Sequence, residues 1–235
     1  MSAESKPTGS RESQAIVERY ARRHADARYS MLTPDVWMSL QERQRAVLRR
    51  FAAQGLDVAS LRLLEVGCGE GGNLLDLIRI GFAPERLTGI ELIEDRFNVA
   101  RERLPRALPL HLADALAVDV PGSSQDIVFV STVFSSILDA ATQRELAAAM
   151  WRWLRPGGAV LWYDFAVDNP RNPDVRGVPR ARLRELFPEG RQQVQRITLA
   201  PPIARRVCRW HPSLYTVFNT IPLLRTHLLA WITKS

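Results

Sequence analysis

The feature that most constrains this chain is a cluster of glycines at the end of a short apolar run: residues 61–74 read LRLLEVGCGEGGNL. Leu61–Val66 predicts a strand and Asn73–Ile80 a helix closed by Gly81, so the chain must turn through the glycines between them. Gly67, Gly69 and Gly72 satisfy G-x-G-x-x-G between a strand and a helix, the placement of a nucleotide-binding turn. Such a turn lets backbone bend tightly and approach a ligand where a Cβ would intrude. Glu65 lies two residues before Gly67, and Glu91 closes the next predicted strand, 20 residues after Gly71. An acid at that strand tip is placed to accept both hydrogens of a ribose diol.

The following residues repeat the pattern. Strands are predicted at Leu87–Ile90, Leu108–Leu112, Asp126–Ser131 and Ala159–Phe165, with helices at Ile93–Leu104 and Ala141–Leu154. Short apolar strands alternating with helices mean βαβ units and a parallel sheet covered on both faces: a doubly wound α/β fold. After Asp164 the alternation stops at a proline-rich loop over 168–180. A short helix (Ala181–Leu186), a strand (Gln193–Leu199), a mixed segment over Pro201–Phe218 and a last strand (His227–Thr233) follow. Ahead of the sheet, Gln14–Ala53 has helical periodicity split at Thr33-Pro34, with Thr33 as N-cap and Pro34 at the first helical position. The expected organisation is a flexible tail (1–13), a helical annex (14–57) and an α/β domain (58–235) whose residues 166–220 form substrate-side insertions.

Two cysteines, Cys68 and Cys208, exclude a secreted disulfide framework and point to a reducing, cytoplasmic setting. Four scattered histidines form no metal-ligand spacing, so no metal is expected. The apolar C-terminal stretch is interrupted by Pro222, Arg225 and His227, whereas a bilayer helix needs about 20 mostly apolar residues. The net charge of +7 is unevenly placed: residues 171–235 carry 12 basic and 3 acidic side chains, residues 58–170 carry 10 and 15. An anionic partner would therefore meet the last third of the chain; the alternative is that the excess, with 30 of the 32 basic residues arginine, reflects a GC-rich coding bias and no partner.

Five blocks in order, EVGCGEGG at 65–72, GIEL at 89–92, ADA at 113–115, DIVFVS at 126–131 and W-x-x-L-R-P-G-G at 151–158, give the chain its family likeness. Across residues 60–165 it resembles the class I S-adenosylmethionine-dependent methyltransferases. The resemblance implies a mostly parallel seven-stranded, Rossmann-like sheet and S-adenosyl-L-methionine as cofactor. It also assigns roles by position. Gly67, Gly69 and Gly71 would form the turn beneath the methionine part, with Cys68 as the small residue between and Glu65 in contact directly or through water. Glu91, next to Leu92, would hold the ribose hydroxyls. Asp114 and Ala115 would meet the adenine, and Ser131 would lie beside the sulfonium. Gly72 would serve helix packing, and Asp114 has the alternative of capping a turn. Tyr20, Arg28 and Tyr29 precede the Thr33-Pro34 break, where a helical lid would cover the cofactor; the alternative is that the tyrosines pack the annex onto the sheet.

Methyl transfer from a sulfonium is an in-line displacement, so the protein mainly positions the acceptor. A hydroxyl acceptor benefits from a base, and a carboxylate or phosphate needs none. Residues after the fourth and fifth strands should line the acceptor side, among them Phe134 and Asp164. Asp164 is the base candidate, with turn capping or an arginine pair as its alternative; His211 is a second candidate, with a packing or solvated role as its alternative. Arg171 and Arg176 would clamp an anionic group, unless they form surface ion pairs with Asp174. STVF stands where amino-methylating enzymes of this family carry N-P-P-[FY], which argues against a nucleobase amine and against DNA. The later segments are similar to a bacterial branch whose members accompany surface-glycan or specialised-metabolite pathways. The expectation is methyl transfer to an oxygen of a small or glycan-like, anionic acceptor. An RNA methyltransferase and a non-catalytic binding module are the alternatives.

Overall fold

The computed structural model describes residues 11–22, 30–169 and 172–235. Residues 1–10 of the expected tail, together with Arg28, Tyr29 and Arg171, lie outside them. Seven strands form one sheet: β1 (Leu63–Val66), β2 (Leu87–Glu91), β3 (Leu110–Leu112), β4 (Gln125–Ser131), β5 (Leu154–Phe165), β6 (Arg191–Leu199) and β7 (Arg225–Thr233). Their order is β3-β2-β1-β4-β5-β7-β6. Strands β1 to β5 pair in parallel, and β7 runs antiparallel to both β5 and β6.

The apolar strands are hydrophobic on both sides because helices cover both sides. In β4 and β5, Val128, Val130, Val160 and Trp162 pack under α5 (Ala140–Trp153) and α6 (Arg180–Leu186). Ile127, Phe129, Leu161 and Tyr163 pack under α2 (Pro34–Gln54), α3 (Gly72–Arg79) and α4 (Glu94–Arg103). A seven-stranded sheet with consecutive parallel strands is stable only when both faces are closed in this way. Helix ends follow their local chemistry. Asp139 caps α5 by accepting from the Thr142 N–H at 2.6 Å. Gly55 ends α2 at φ 61°, and Pro34 occupies its first turn. Thr33 stands at the N-cap position without a side-chain cap bond; its hydroxyl donates to the Ser30 carbonyl at 2.7 Å.

Three expectations need correction. Residues 11–13 belong to helix α1 (Arg11–Ala21), not to a tail, and Glu12 and Ser13 bond to Leu138 and Asp114 across the sheet's open end. The 166–220 stretch is not all insertion: it includes α6 and the edge strand β6, which pairs with β7 along its length. The mixed segment resolves into α7 (Pro201–Cys208) and α8 (Ser213–Phe218), a helical cap between β6 and β7. Ala204, Cys208 and Tyr215 of this cap bury against Met38 of α2 and Leu199 of β6.

One carboxylate ties the cap down. Glu42 on α2 accepts from the Tyr215 hydroxyl and the Asn219 amide, each at 2.6 Å, and from the Thr198 N–H at 3.1 Å. Glu42→Ala leaves these donors without their acceptor, so about 2–3 kcal/mol of stability should be lost in urea unfolding. A loss below 0.5 kcal/mol would mean the cap is held by its apolar contacts alone.

Candidate functional site

The turn after β1 follows from its glycines. Gly67, Gly69 and Gly71 have φ of 66°, 57° and 81°. A Cβ at Gly67 would lie 2.5 Å from the Val133 side chain, and one at Gly69 would lie 2.7 Å from the Arg96 guanidinium. Gly72 has no neighbour within 4 Å of where its Cβ would be, so close helix packing does not require glycine there. The turn is anchored from β2. The Gly69 N–H donates to Glu91 Oε2 at 2.6 Å, and the Ile93 N–H donates to Glu91 Oε1 at 2.8 Å. One buried carboxylate thus sets both the glycine turn and the start of α4.

A cavity of about 400 Å³ opens at the carboxyl ends of the central strands. Of the residues expected on the cofactor side, Gly67, Cys68, Gly69, Glu91, Leu92, Asp114, Ala115, Ser131 and Tyr20 line it. Gly71 sits behind the lining as the residue before α3, its N–H donating to the Cys68 carbonyl at 3.0 Å. Glu65 is also behind the lining. Its Oε1 accepts from the Asn73 amide at 2.6 Å, while its Oε2 is buried with no hydrogen-bond partner. Burial pushes the Glu65 carboxyl up to about 8, against the opposing pull of Asn73 and Arg43. Burial likewise pushes the Cys68 thiol up, so it remains protonated and unreactive near neutrality.

Several contributors were not anticipated from sequence. Arg43 of α2 donates to Asn73 Oδ1 at 2.8 Å and to Ser131 Oγ at 3.3 Å, with its guanidinium 5.1 Å from the Tyr163 ring centre. Asn73 had a visible signal, since it follows the glycines directly. Arg43 had none: its neighbour Glu42 points to the cap, and only the packed helix separates their directions. Helix α1 lies over the cavity, contributing Ser13, Ile16 and Tyr20 to its lining. The Ser13 hydroxyl donates to Asp114 Oδ2, while Asp114 Oδ1 accepts from the Leu116 N–H at 2.9 Å. Glu12 accepts from the Leu138 N–H at 2.8 Å, and Arg19 donates to the Ser136 carbonyl at 2.9 Å. Tyr20 faces the Arg96 guanidinium at 5.4 Å. Polar residues spaced along a short helix gave no indication of these long-range partners.

On the acceptor side the expected residues are not brought together. Asp164 is buried outside the cavity lining, because strand alternation puts it on the same face as Val160 and Trp162. Its two oxygens accept from the Ser135 N–H at 3.0 Å and from its own neighbour, the Phe165 N–H, at 2.8 Å. Burial raises its pKa to about 6, yet it holds a turn and reaches no open space. His211 is exposed between α7 and α8, where its Nδ1 accepts from the Ser213 N–H at 3.2 Å. Arg176 is exposed and meets the site only through its backbone, whose N–H donates to the Ser135 carbonyl at 2.8 Å. Asp174 lies 3.8 Å from Arg22 of the segment after α1. Phe134 is 0% exposed, its ring 4.6 Å from that of Trp162, so it is core and touches no substrate.

A left-handed glycine turn, an acid at the tip of β2 and the 3-2-1-4-5-7-6 sheet define a domain of the class I S-adenosylmethionine-dependent methyltransferase fold. Comparison with known proteins agrees: residues 63–158 match the family described as methyltransferase domain, and the chain carries that domain. The chain is 28% identical over 180 residues to a trans-aconitate 2-methyltransferase of Afipia carboxidovorans, 76% of this chain and 64% of the relative. It is 35% identical over 119 residues to a fatty-acid O-methyltransferase of Mycolicibacterium smegmatis, 48% of this chain and 40% of the relative. The chain thus spans less than two thirds of the length of either relative. Among solved structures, phosphoethanolamine N-methyltransferase 2 of Haemonchus contortus in complex with S-adenosyl-L-methionine superposes with a TM-score of 0.63. It shares 16% identity, covering 94% of this chain and 60% of that one.

The residues fit this cofactor, a zwitterionic amino acid joined through sulfur to adenosine. The unpartnered Glu65 Oε2 would take the ammonium. Glu91 would accept from the ribose hydroxyls, and Asp114 with Ala115 would meet the adenine. An ammonium beside Glu65 reverses the effect of burial. The group is mostly protonated at pH 7 in the free protein and ionised in the complex, so binding should release about one proton. Titration calorimetry with S-adenosylhomocysteine in buffers of different ionisation enthalpy should show that release, and Glu65→Gln should abolish it. Buffer-independent heats for the unsubstituted protein would contradict the placement.

Proposed function

We propose that the chain transfers a methyl group from S-adenosylmethionine to a carboxylate oxygen of a small anionic acceptor. When bound, the cofactor supplies a sulfonium-activated methyl. In the transfer the sulfur–methyl bond breaks with its electrons returning to sulfur, an oxygen–methyl bond forms, and no proton is released. The chain's own residues then need to orient the acceptor, exclude water and leave the oxygen lone pair unprotonated.

The observation that carries this reading is an arginine at the β4 side of the cavity with no base beside it among the described residues. Three arginines line the cavity among the described residues. Arg96 faces Tyr20 and Arg103 pairs with Glu70 at 2.7 Å, whereas Arg43 adjoins Ser131. Of the lining acids among the described residues, Glu70 pairs with Arg103, and Glu91 and Asp114 are engaged by backbone N–H groups. Asp164 and His211 lie outside the lining, so among the described residues neither expected base reaches a hydroxyl acceptor. A carboxylate needs none, and an arginine recognises it through paired N–H donors. Trans-aconitate and fatty acids, named for the two relatives above, are both carboxylates. Helix α1 acts as the lid: Glu12, Ser13 and Arg19 fasten it across the opening, and its release admits the ligands. Both cysteines are buried free thiols, in keeping with a reducing cytoplasm as the setting.

Incubation with labelled methyl donor and a panel of di- and tricarboxylates and fatty acids tests the reaction class. The product should be an ester that alkali cleaves to methanol; an alkali-stable methyl would overturn the carboxylate assignment. Arg43→Gln should raise the KM for the acceptor by about 10–100-fold, the scale of a charged hydrogen bond. An unchanged acceptor KM with weakened cofactor binding would place Arg43 at the donor instead.

A further inference from the structure

The cap formed by α7, α8 and their turns takes no part in the site described above, yet its outer surface is unusual. Residues 190–235 contain seven basic side chains and no acidic one. Within the cap, Arg206 and Arg209 are exposed. So are Trp210 at 84% and Leu223 at 87%, together with Val217, Phe218 and Ile221. Among the described residues, five of the twelve exposed large apolar side chains fall within this span of 14 residues. Singly scattered apolar residues are normal on a protein surface, whereas these five are exposed by one short cap together with its arginines.

The cap is also held rigidly. Its inner side is buried against α2 and β6, Glu42 grips Tyr215 and Asn219, and the Arg225 guanidinium donates to the Asn219 carbonyl at 2.6 and 2.8 Å. The apolar residues are therefore presented outward by a braced scaffold. We propose that this face of the cap docks the protein on an anionic lipid bilayer, with Trp210 and Leu223 entering the interface and Arg206 and Arg209 meeting the head groups.

The composition selects that partner over two others. A second copy meeting the same face across a two-fold axis would set arginines against arginines with no acid to offset them. A nucleic acid is met by cations and aromatic platforms, and it offers nothing to the aliphatic Val217, Ile221 and Leu223. A bilayer interface takes an indole, aliphatic side chains and arginines together. The docked orientation bears on the site, because α2 links the two: Glu42 fixes the cap and the adjacent Arg43 enters the cavity. The proposal is independent of which acceptor is methylated, and its test requires no turnover.

Co-sedimentation of the full chain with phosphatidylcholine vesicles, with and without phosphatidylglycerol, supplies that test. Binding is expected only with the anionic lipid and should weaken as salt rises. Arg206→Gln with Arg209→Gln should lower partitioning about 30-fold, or about fivefold per arginine. Trp210→Ser with Leu223→Ser should lower it at least about tenfold. Unchanged affinity for S-adenosylhomocysteine serves as the check on folding in both variants. No binding to anionic vesicles, equal binding to neutral ones, or apolar-pair variants that bind as the unsubstituted chain does would each overturn the proposal. So would dimers in sedimentation velocity that the apolar substitutions dissolve, or salt-sensitive RNA binding in place of vesicle binding.

Discussion

The grip of Glu91 on the glycine turn is the interaction on which the rest of the molecule's cavity depends. The left-handed residues after β1 bring backbone close to Val133 and Arg96, which no side chain at Gly67 or Gly69 would allow. Conformational freedom alone does not hold such a turn in one shape. The Glu91 carboxylate does so by accepting from Gly69 on one side and Ile93 on the other. Because β1 lies between β2 and β4 in the sheet, the turn, the acid and Ser131 meet at one edge. The doubly wound order thereby becomes a binding site without any element added to it.

Two other buried acids show how similar physics yields different roles. Burial raises the carboxyl groups of both Glu65 and Asp164. Asp164 spends both oxygens on backbone N–H groups and acts as a brace for the turn after β4. Glu65 keeps one oxygen without a partner beside the glycine turn, a desolvation cost that a bound ammonium would offset. The distinction lies in satisfied hydrogen bonds, not in burial or position along a strand.

Most of the residues that line the cavity from β1 to β3 were legible because their signals are local. Gly67 and Gly69 sit in one turn, Glu91 ends a strand, and Asp114 follows another. The acceptor half was not. Residues 159–165 are apolar throughout except Asp164, so both faces of the strand read alike and alternation alone does not tell which one meets the cavity. Asp164 turned toward Ser135, and Phe134 sank into the core against Trp162. Arg176 and His211 lie in irregular connections whose path no periodicity specifies. Ser13, Arg19 and Arg43 act through partners 30 or more residues away, set by how helices dock on the finished sheet. The segment after Pro201 hid two helices because its prolines and short apolar runs mimic a loop.

The proposed mode of binding sets the amino-acid end of S-adenosylmethionine at the turn after β1, the ribose at Glu91 and the adenine at Asp114. A crystal structure of the protein with S-adenosylhomocysteine tests it most directly. Density is expected for the ammonium next to Glu65, for the ribose diol against Glu91 and for the adenine beside Ala115. Density in another cleft, or an empty glycine turn at saturating ligand, would contradict it.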